Sequence, residues 1–241
     1  MKNTLISGFT QMNINVNAYQ LEQFLRYYEV LIDYNTKVNL TNITQPDDVC
    51  KKHFLDSAAL LCVHDIPQGA ALIDVGTGAG FPGIPLKILR PDIQLTLLDS
   101  LNKRVEFLKL CVSELGLDNV QCVHARAEES ARNKIYREKF DITVSRAVAN
   151  MSTLCEYCLP YTAVGGVFAA YKGPAVLTEQ GGELDTAKNA LNLLGGGDVR
   201  LKNVDIPDSG LSHCIVLVDK IQPTPPQYPR SGGKPTNKPI K

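Results

Sequence analysis

A glycine-rich stretch carries the strongest chemical signal in the chain. It runs from Asp74 to Gly83 with the sequence DVGTGAGFPG, after a short apolar run and before a helical pattern. Glycines let a backbone turn tightly and approach a ligand where a Cβ atom would clash. The stretch therefore predicts a binding loop between the first strand and the first helix of an α/β unit, against which a flat polar ligand lies.

Two cofactor classes fit this loop. The segment from Gly78 to Gly83 satisfies the dinucleotide pattern GxGxxG, and Asp99 follows about 20 residues later, where its carboxylate could accept ribose hydroxyls. That pattern is compatible with NAD and an oxidoreductase. The order of acid and glycines from Asp74 through Gly76 instead resembles motif I of the S-adenosylmethionine methyltransferases, in which the first acid orients the loop and the acid after the second strand holds the ribose. The loop alone favours the methyltransferase and leaves the dinucleotide open.

The ends of the third and fourth predicted strands add further candidates. Ala127 and Glu128 follow the third strand, the position at which such methyltransferases flank the adenine. Arg146 follows the fourth strand, where a cation at a helix start is disfavoured by the helix dipole and so needs a functional reason. This strand end has neither an Asn/Asp-Pro-Pro-aromatic segment nor a Pro-Cys nucleophile. The absence favours an acceptor that needs no base, such as a ring nitrogen with a free lone pair.

Alternating apolar runs and helical stretches must position these residues. From Ala70 onward the pattern predicts a mostly parallel sheet with helices on both faces, a Rossmann-like methyltransferase fold of the α/β class, closed by an antiparallel edge. Strands are predicted near 70–75, 93–98, 120–124, 140–145, 166–171, 199–205 and 213–219. Helices are predicted near 83–90, 101–115, 126–137, 149–159 and 176–194.

The predicted organisation has three parts. Apolar stripes at helical spacing over 17–37 and 49–62 predict an N-terminal helical cap, residues 1–66, before the methyltransferase domain, residues 67–221. Residues 222–241 form a tail rich in proline and lysine, without acidic residues. Such a composition predicts an extended or disordered segment, either uninvolved or an arm that contacts nucleic-acid phosphates.

Composition limits the class of protein. Hydrophobic residues make up 44% and charged residues 21% of 241 residues, with 25 basic and 25 acidic side chains, as in ordinary globular proteins. No apolar run reaches the ~18 residues of a membrane span and no signal peptide is evident, so we expect a cytoplasmic protein. The seven cysteines predict reduced, packed thiols, and the Cys155/Cys158 spacing is interpreted as packing rather than metal binding.

The motifs together resemble a specific family, the bacterial glucose-inhibited division protein B family. The resemblance extends over nearly the whole chain, apart from a tail motif that differs. It rests on these segments in this order: Asn39-Leu40-Thr41, His53 to Ser57, Asp74 to Pro85, Leu97 to Ser100 with Lys103-Arg104, Arg126 to Glu129, Ser145-Arg146-Ala147, Tyr171-Lys172-Gly173 and Tyr228-Pro229-Arg230.

The resemblance implies methylation of the position-7 ring nitrogen of one guanine in small-subunit ribosomal RNA, with S-adenosylmethionine as cofactor and no metal. It implies that the catalytic residues are Arg146 and Lys172, the latter contacting guanine or phosphate. The implied cofactor-binding residues are Gly76, Phe81, Ala127, Glu128 and Arg146, and the general methyltransferase pattern adds Asp74, Gly78 and Asp99. His53 and Asp56 match the cap motif without an assigned role.

The expected partner is small-subunit ribosomal RNA or the assembled subunit. Basic side chains that could contact its phosphates are Lys103, Arg104, Lys109, Arg126, Arg132, Lys134, Arg137 and those of the tail. A non-catalytic RNA-binding assembly factor remains an alternative, as does the NAD-dependent oxidoreductase.

Overall fold

Seven strands and ten α-helices make up the computed structural model over the residues it describes, 1–173, 176 and 182–240. The strands are β1 (Ala71–Val75), β2 (Gln94–Asp99), β3 (Val120–His124), β4 (Phe140–Arg146), β5 (Thr162–Lys172), β6 (Gly196–Ile206) and β7 (Leu211–Lys220). The helices are α1 (Lys2–Gln11), α2 (Ala18–Asn35), α3 (Pro46–Val49), α4 (Asp56–Val63), α5 (Gly83–Leu89), α6 (Asn102–Glu114), α7 (Ala127–Ser130), α8 (Met151–Cys158), α9 (Glu183–Leu193) and α10 (Lys234–Asn237).

The strands form one sheet in the order β3-β2-β1-β4-β5-β7-β6. Strands β1 to β5 pair in parallel, and β7 lies antiparallel between β5 and β6. The predicted fold class is therefore confirmed, with the hairpin β6–β7 closing one edge. Because parallel strands share one direction, the carboxyl ends of β1 to β4 meet at the same edge of the sheet, where the order changes between β1 and β4.

The N-terminal helices pack on one face of this sheet. Helix α2 begins at a capping box in which Asn17 and Gln20 exchange side-chain and backbone hydrogen bonds. Helices α3 and α4 are joined by a π-helical turn, Cys50–Leu55. Apolar side chains of these helices share one continuous cluster with β1 and β2. The division at residues 66 and 67 stays a prediction, and helix α1 was not singled out by the sequence.

One predicted helix is shorter in the structure, and another is described only in part. The helix predicted over 126–137 is only α7, because Asn133 turns the chain by accepting a hydrogen bond from the Ile135 amide, a local bond that competes with helix. The helix predicted over 176–194 is described as a helix from Glu183 onward; residues 177–181 of that prediction lie outside the described residues.

The prediction of an extended or disordered tail is wrong for residues 222–240, which pack against the domain and include α10. The guanidinium of Arg137 donates to the carbonyls of Thr224 at 2.7 Å and Tyr228 at 2.8 Å. Thr224 and Pro229 are buried. Composition did not reveal this packing because the partners that hold the tail lie about 90 residues earlier in the chain.

The cysteines are unpaired, and most of them are buried. All seven cysteines are free, and Cys155 and Cys158 are buried in α8, which confirms the packing interpretation. Across the described ranges, no cluster of three or more His, Cys, Asp or Glu side chains could hold a metal ion. In the same part of the chain, no helix has the length and apolar character needed to cross a bilayer.

Candidate functional site

Asp74 ties together the two ends of the glycine loop. Its Oδ2 accepts hydrogen bonds from the Thr77 hydroxyl at 2.6 Å and from the Gly83 amide at 2.8 Å. Its other oxygen is buried without a hydrogen-bond partner among the described residues. Burial is the main cause that raises the pKa of Asp74 to about 6, against the opposing effect of its two donors. Asp74 therefore holds the two ends of the loop together through these hydrogen bonds.

The backbone of the loop explains two of its glycines. Gly76 and Gly78 have φ values of +72° and +62°, in the left-handed region that disfavours residues with a Cβ atom. A Cβ on Gly76 would also lie 2.6 Å from a methyl of Val148, whereas nothing lies within 4 Å of the corresponding position at Gly78. The loop is thus closely covered at Gly76 and open at Gly78.

Asp99 links the end of β2 to the same loop. Its Oδ2 accepts from the Gly78 amide and its Oδ1 from the Leu101 amide, both at 2.9 Å. Only 3% of the side chain is exposed, and Arg104 lies 3.5 Å from the carboxylate. These contacts hold the Asp99 carboxylate at the carboxyl ends of the central strands.

A cavity of about 430 Å³ opens at these strand ends; we call it the strand-end cavity. It is lined by four of the predicted cofactor-binding residues, Gly76, Asp99, Ala127 and Glu128. Glu128 is only 4% exposed, and its carboxylate has no hydrogen-bond partner within the described part of the chain. Its oxygens are not among the fully buried, unpaired atoms of the described residues, so the carboxylate borders the open cavity, where a ligand donor can reach it.

Four other residues singled out by the sequence lie together at the Phe81 end of the loop. With His213 they form the Arg146 cluster, defined as Phe81, His53, Asp56, Arg146 and His213. The guanidinium of Arg146 donates to Asp56 Oδ2 at 2.5 Å and lies 5.1 Å from the Phe81 ring centroid. The His53 ring stacks on the Phe81 ring, with 4.5 Å between the two ring centroids. Nδ1 of His213, from β7, lies 2.5 Å from Asp56 Oδ1.

The charges in the Arg146 cluster compensate one another. Burial alone would raise the pKa of Asp56, but His213 and Arg146 outweigh it and lower the pKa below its usual value. Burial, reinforced by the nearby Arg146 charge, lowers the pKa of His53 to about 4. At neutral pH the cluster therefore holds an ionised Asp56, a charged Arg146 and a neutral His53.

Lys172 lies at the end of β5 with its ammonium group engaged. Nζ contacts Glu183 Oε1 at 2.5 Å and donates to the carbonyl of Ala149 at 2.9 Å. Glu183 also accepts from the Met151 amide at 2.5 Å. Lys172 therefore braces the segment after β4, and it is not among the residues that line the strand-end cavity.

The predicted phosphate-contacting cations differ in availability. Arg132 and Arg137 donate to carbonyls of the tail, so their predicted role as free phosphate contacts is corrected to anchoring this segment. In the tail itself, Arg230 binds the buried Glu156. Lys109 pairs with the exposed Glu106. Lys103, Arg126 and Lys134 are exposed.

The chain matches one protein family over most of its length. The GidB family model, described as rRNA small subunit methyltransferase G, matches residues 20–205. The chain belongs to this family. A relative from Alkaliphilus metalliredigens, named Ribosomal RNA small subunit methyltransferase G, is 45% identical over 240 residues, which cover 100% of this chain and 99% of the relative. A relative of the same name from Clostridium botulinum strain Alaska E43 is 49% identical over 230 residues, 95% of each.

Solved structures share the fold with this GidB family member. A predicted O-methyltransferase from Agrobacterium tumefaciens has a TM-score of 0.55 at 12% identity, covering 70% of this chain and 83% of that one. M. jannaschii TYW2, solved in complex with AdoMet, has a TM-score of 0.54 at 13% identity, covering 75% and 80%. At these identities the likeness establishes the methyltransferase fold alone.

Sequence analysis missed several residues at this family member's site. Tyr27 on α2 is fully buried, and its hydroxyl donates to the Ala79 carbonyl of the glycine loop. Its spacing from Phe24 and Leu31 matches one helical stripe, which could have identified it. No local signal pointed to His213, Tyr157 or the tail residues, because they reach the site from distant elements.

Proposed function

We propose that this protein transfers the methyl group of S-adenosylmethionine to the position-7 ring nitrogen of a guanine in small-subunit ribosomal RNA. The observation that carries the proposal is the match to the rRNA small subunit methyltransferase G family over residues 20–205. Hydride transfer with NAD has no comparable support, since the relatives are named as methyltransferases.

The residues of the strand-end cavity fit the methyl donor. Its volume of about 430 Å³ lies within the ~300–1,000 Å³ typical of small-molecule sites. Asp99 and Glu128 would hold the ribose and the adenine side, where the Glu128 carboxylate is free to accept a hydrogen bond from the ligand. Gly76, Gly78 and Ala127 would let the ligand approach the backbone closely. When bound, S-adenosylmethionine supplies an electrophilic methyl group on a positively charged sulfur.

Methylation of a guanine ring nitrogen needs no general base from the protein. A guanine ring nitrogen attacks with its own lone pair: the nitrogen–carbon bond forms as the sulfur–carbon bond breaks, and the positive charge passes from sulfur to the purine. No general base is required, so the chain contributes positioning and electrostatics. Asp56 neutralises Arg146, and neutral His53 adds no charge, so these three side chains together would not repel a cationic donor.

Arg146 and Lys172 are the proposed acceptor-side residues. Arg146 would orient the guanine or the donor from the end of β4, with Phe81 beneath its guanidinium. Lys172 would act on guanine or phosphate after exchanging its present partner, Glu183. The exposed Lys103, Arg126 and Lys134 remain as candidate phosphate contacts beside the cavity. A ribosomal substrate implies that the protein works in the cytoplasm.

Methyl transfer to small subunits that lack their modifications tests the proposal directly. The protein is incubated with labelled S-adenosylmethionine, and the nucleosides are analysed by mass spectrometry. We expect 7-methylguanosine in the wild-type reaction and in an Arg26→Ala control, whose exposed side chain lies on α2. Arg146→Ala should abolish transfer and retain RNA binding. A wild-type protein that binds subunits without transferring methyl groups would instead support the assembly-factor alternative.

A further inference from the structure

The C-terminal segment, residues 222–240, is held in a defined position by buried and half-buried charges. Arg132 donates to the Pro229 carbonyl through Nε at 2.9 Å and Nη2 at 2.6 Å. Arg230 forms a two-pronged ion pair with Glu156, with Nε–Oε1 at 2.9 Å and Nη2–Oε2 at 2.6 Å. Because Glu156 is 0% exposed, releasing the segment would leave a buried carboxylate without its cation, which is costly.

These anchors position the short helix α10. Arg230 also donates to the Lys238 carbonyl at 2.9 Å, and the Thr153 hydroxyl donates to the Pro235 carbonyl at 3.0 Å. The helix is thus fixed at both ends against α8. Its placement depends on tertiary contacts, since four residues are too few to form a stable helix alone.

Helix α10 presents polar groups to the strand-end cavity. Gly233, Thr236 and Asn237 line this cavity together with Glu128. The Thr236 hydroxyl is already engaged at 2.8 Å with the hydroxyl of Tyr157. Asn237 is exposed at the cavity, and its side-chain amide has no hydrogen-bond partner in the described ranges of the chain. The amide offers one acceptor oxygen and two donor hydrogens to a ligand.

The sheet order indicates which part of a bound ligand would lie near Asn237. In this fold the sheet order places β3 farther than β2 from the β1/β4 switch point. A ligand whose ribose meets Asp99 at the end of β2 therefore extends its base toward Ala127 and Glu128 after β3. Helix α10 lines the same cavity, so its free amide is available to the edge of that base.

We propose that the C-terminal segment forms the outer wall of the adenine subsite and that the Asn237 amide recognises the base. This inference rests on the proposed function. Asn237 Oδ1 would accept from the 6-amino group of adenine while Nδ2 donates to an adjacent ring nitrogen. An amide matches these neighbouring donor and acceptor groups of adenine as a bidentate pair. The tail thus serves cofactor specificity.

Calorimetric titration of the full chain with S-adenosylhomocysteine tests this role. We expect Asn237→Ala to weaken binding about 10-fold through loss of the bidentate pair. Ser231→Ala is the matched control: Ser231 is exposed on the same segment and does not line the cavity. It should bind like the wild type. Unchanged melting temperatures for both variants exclude a folding defect.

A second ligand separates base recognition from a general effect on the cavity. The analogue of S-adenosylhomocysteine that lacks the 6-amino group should bind the wild type about 10-fold more weakly than the parent ligand, because it leaves the Asn237 acceptor unpaired. In Asn237→Ala the two ligands should bind within about 3-fold of each other, since that acceptor is gone.

The outcomes distinguish this inference from the proposed function. Equal affinities of wild type and Asn237→Ala for S-adenosylhomocysteine would overturn the role of Asn237 while leaving the methyltransferase assignment intact. An equal loss for both ligands would overturn base recognition in the same way. A wild-type protein that binds neither S-adenosylhomocysteine nor S-adenosylmethionine would overturn the proposed function and this inference with it.

Discussion

The two ends of the glycine loop satisfy their polar groups in different ways. In the Arg146 cluster, at the Phe81 end, Arg146 and His213 both contact the carboxylate of Asp56. In the strand-end cavity, the carboxylate of Glu128, a residue that is only 4% exposed, has no hydrogen-bond partner that the structure describes. Buried polar groups are normally paired. The first end is therefore already paired within the protein, whereas the second leaves a carboxylate free for the ligand that we propose.

Removing the Asp56 carboxylate should have the largest effect, because both Arg146 and His213 contact it. Asp56→Ala leaves the mostly buried Arg146 without its counter-ion, which typically costs about 3–5 kcal/mol of folding free energy. Urea denaturation of the two proteins measures the difference. Asp33→Ala, which removes an exposed partner of Lys37, should cost less than about 0.5 kcal/mol. Similar losses of unfolding free energy in both variants would show that Asp56 does not compensate the buried charge of Arg146.

Acidification should weaken the same cluster through His53. Its folded pKa is lowered to about 4 from about 6.5 in the unfolded chain. Between those values the unfolded state binds the extra proton, so stability falls as the pH falls, by at most about 1.4 kcal/mol per pH unit. Unfolding free energies of wild type and His53→Gln between pH 7 and pH 4 measure this contribution. An NMR titration of His53 with a midpoint near 6.5 would refute it.

Neutralising the unpartnered carboxylate should affect binding but not folding. Glu128→Gln should weaken S-adenosylhomocysteine binding about 10-fold, as expected for a lost hydrogen bond to a charged group. Its unfolding free energy should be unchanged, because the carboxylate has no hydrogen-bond partner among the described residues to lose. Glu129→Gln, at the exposed neighbouring position of α7, is the control for both measurements. A strong loss of stability in Glu128→Gln would indicate a structural role like that of Asp56.

The smallest change in stability is expected for the hydrogen bond from Tyr27 to the middle of the glycine loop. Tyr27→Phe removes the hydroxyl that donates to the Ala79 carbonyl and should cost about 1 kcal/mol of folding free energy. Tyr28→Phe removes an exposed hydrogen bond to the Thr44 carbonyl and should cost less. Equal effects in thermal unfolding would show that the Tyr27 bond does not support the loop.

The residues at the strand-end cavity side of the glycine loop were largely predictable, because short local motifs identify them. Asp74, Gly76 and Gly78 occur in one short stretch whose φ values require glycine, and Asp99 ends the next strand. The Arg146 end was predicted only in part. Asp56 and Arg146 were each noticed, but their ion pair joins residues 90 positions apart, a separation that no periodicity reveals. The pairing of Asp56 with His213 is longer still.

The sequence by itself determined the alternation of strands and helices, the glycine loop and the family, because these depend on local backbone preferences and short motifs. Only the tertiary structure decided that Arg132 and Arg137 anchor the tail and that the tail borders the cavity. Composition predicted a tail too polar to fold, yet its backbone carbonyls find guanidinium partners on the domain. Such long-range pairings arise from the packed fold, since their energy depends on burial and geometry that no local segment contains.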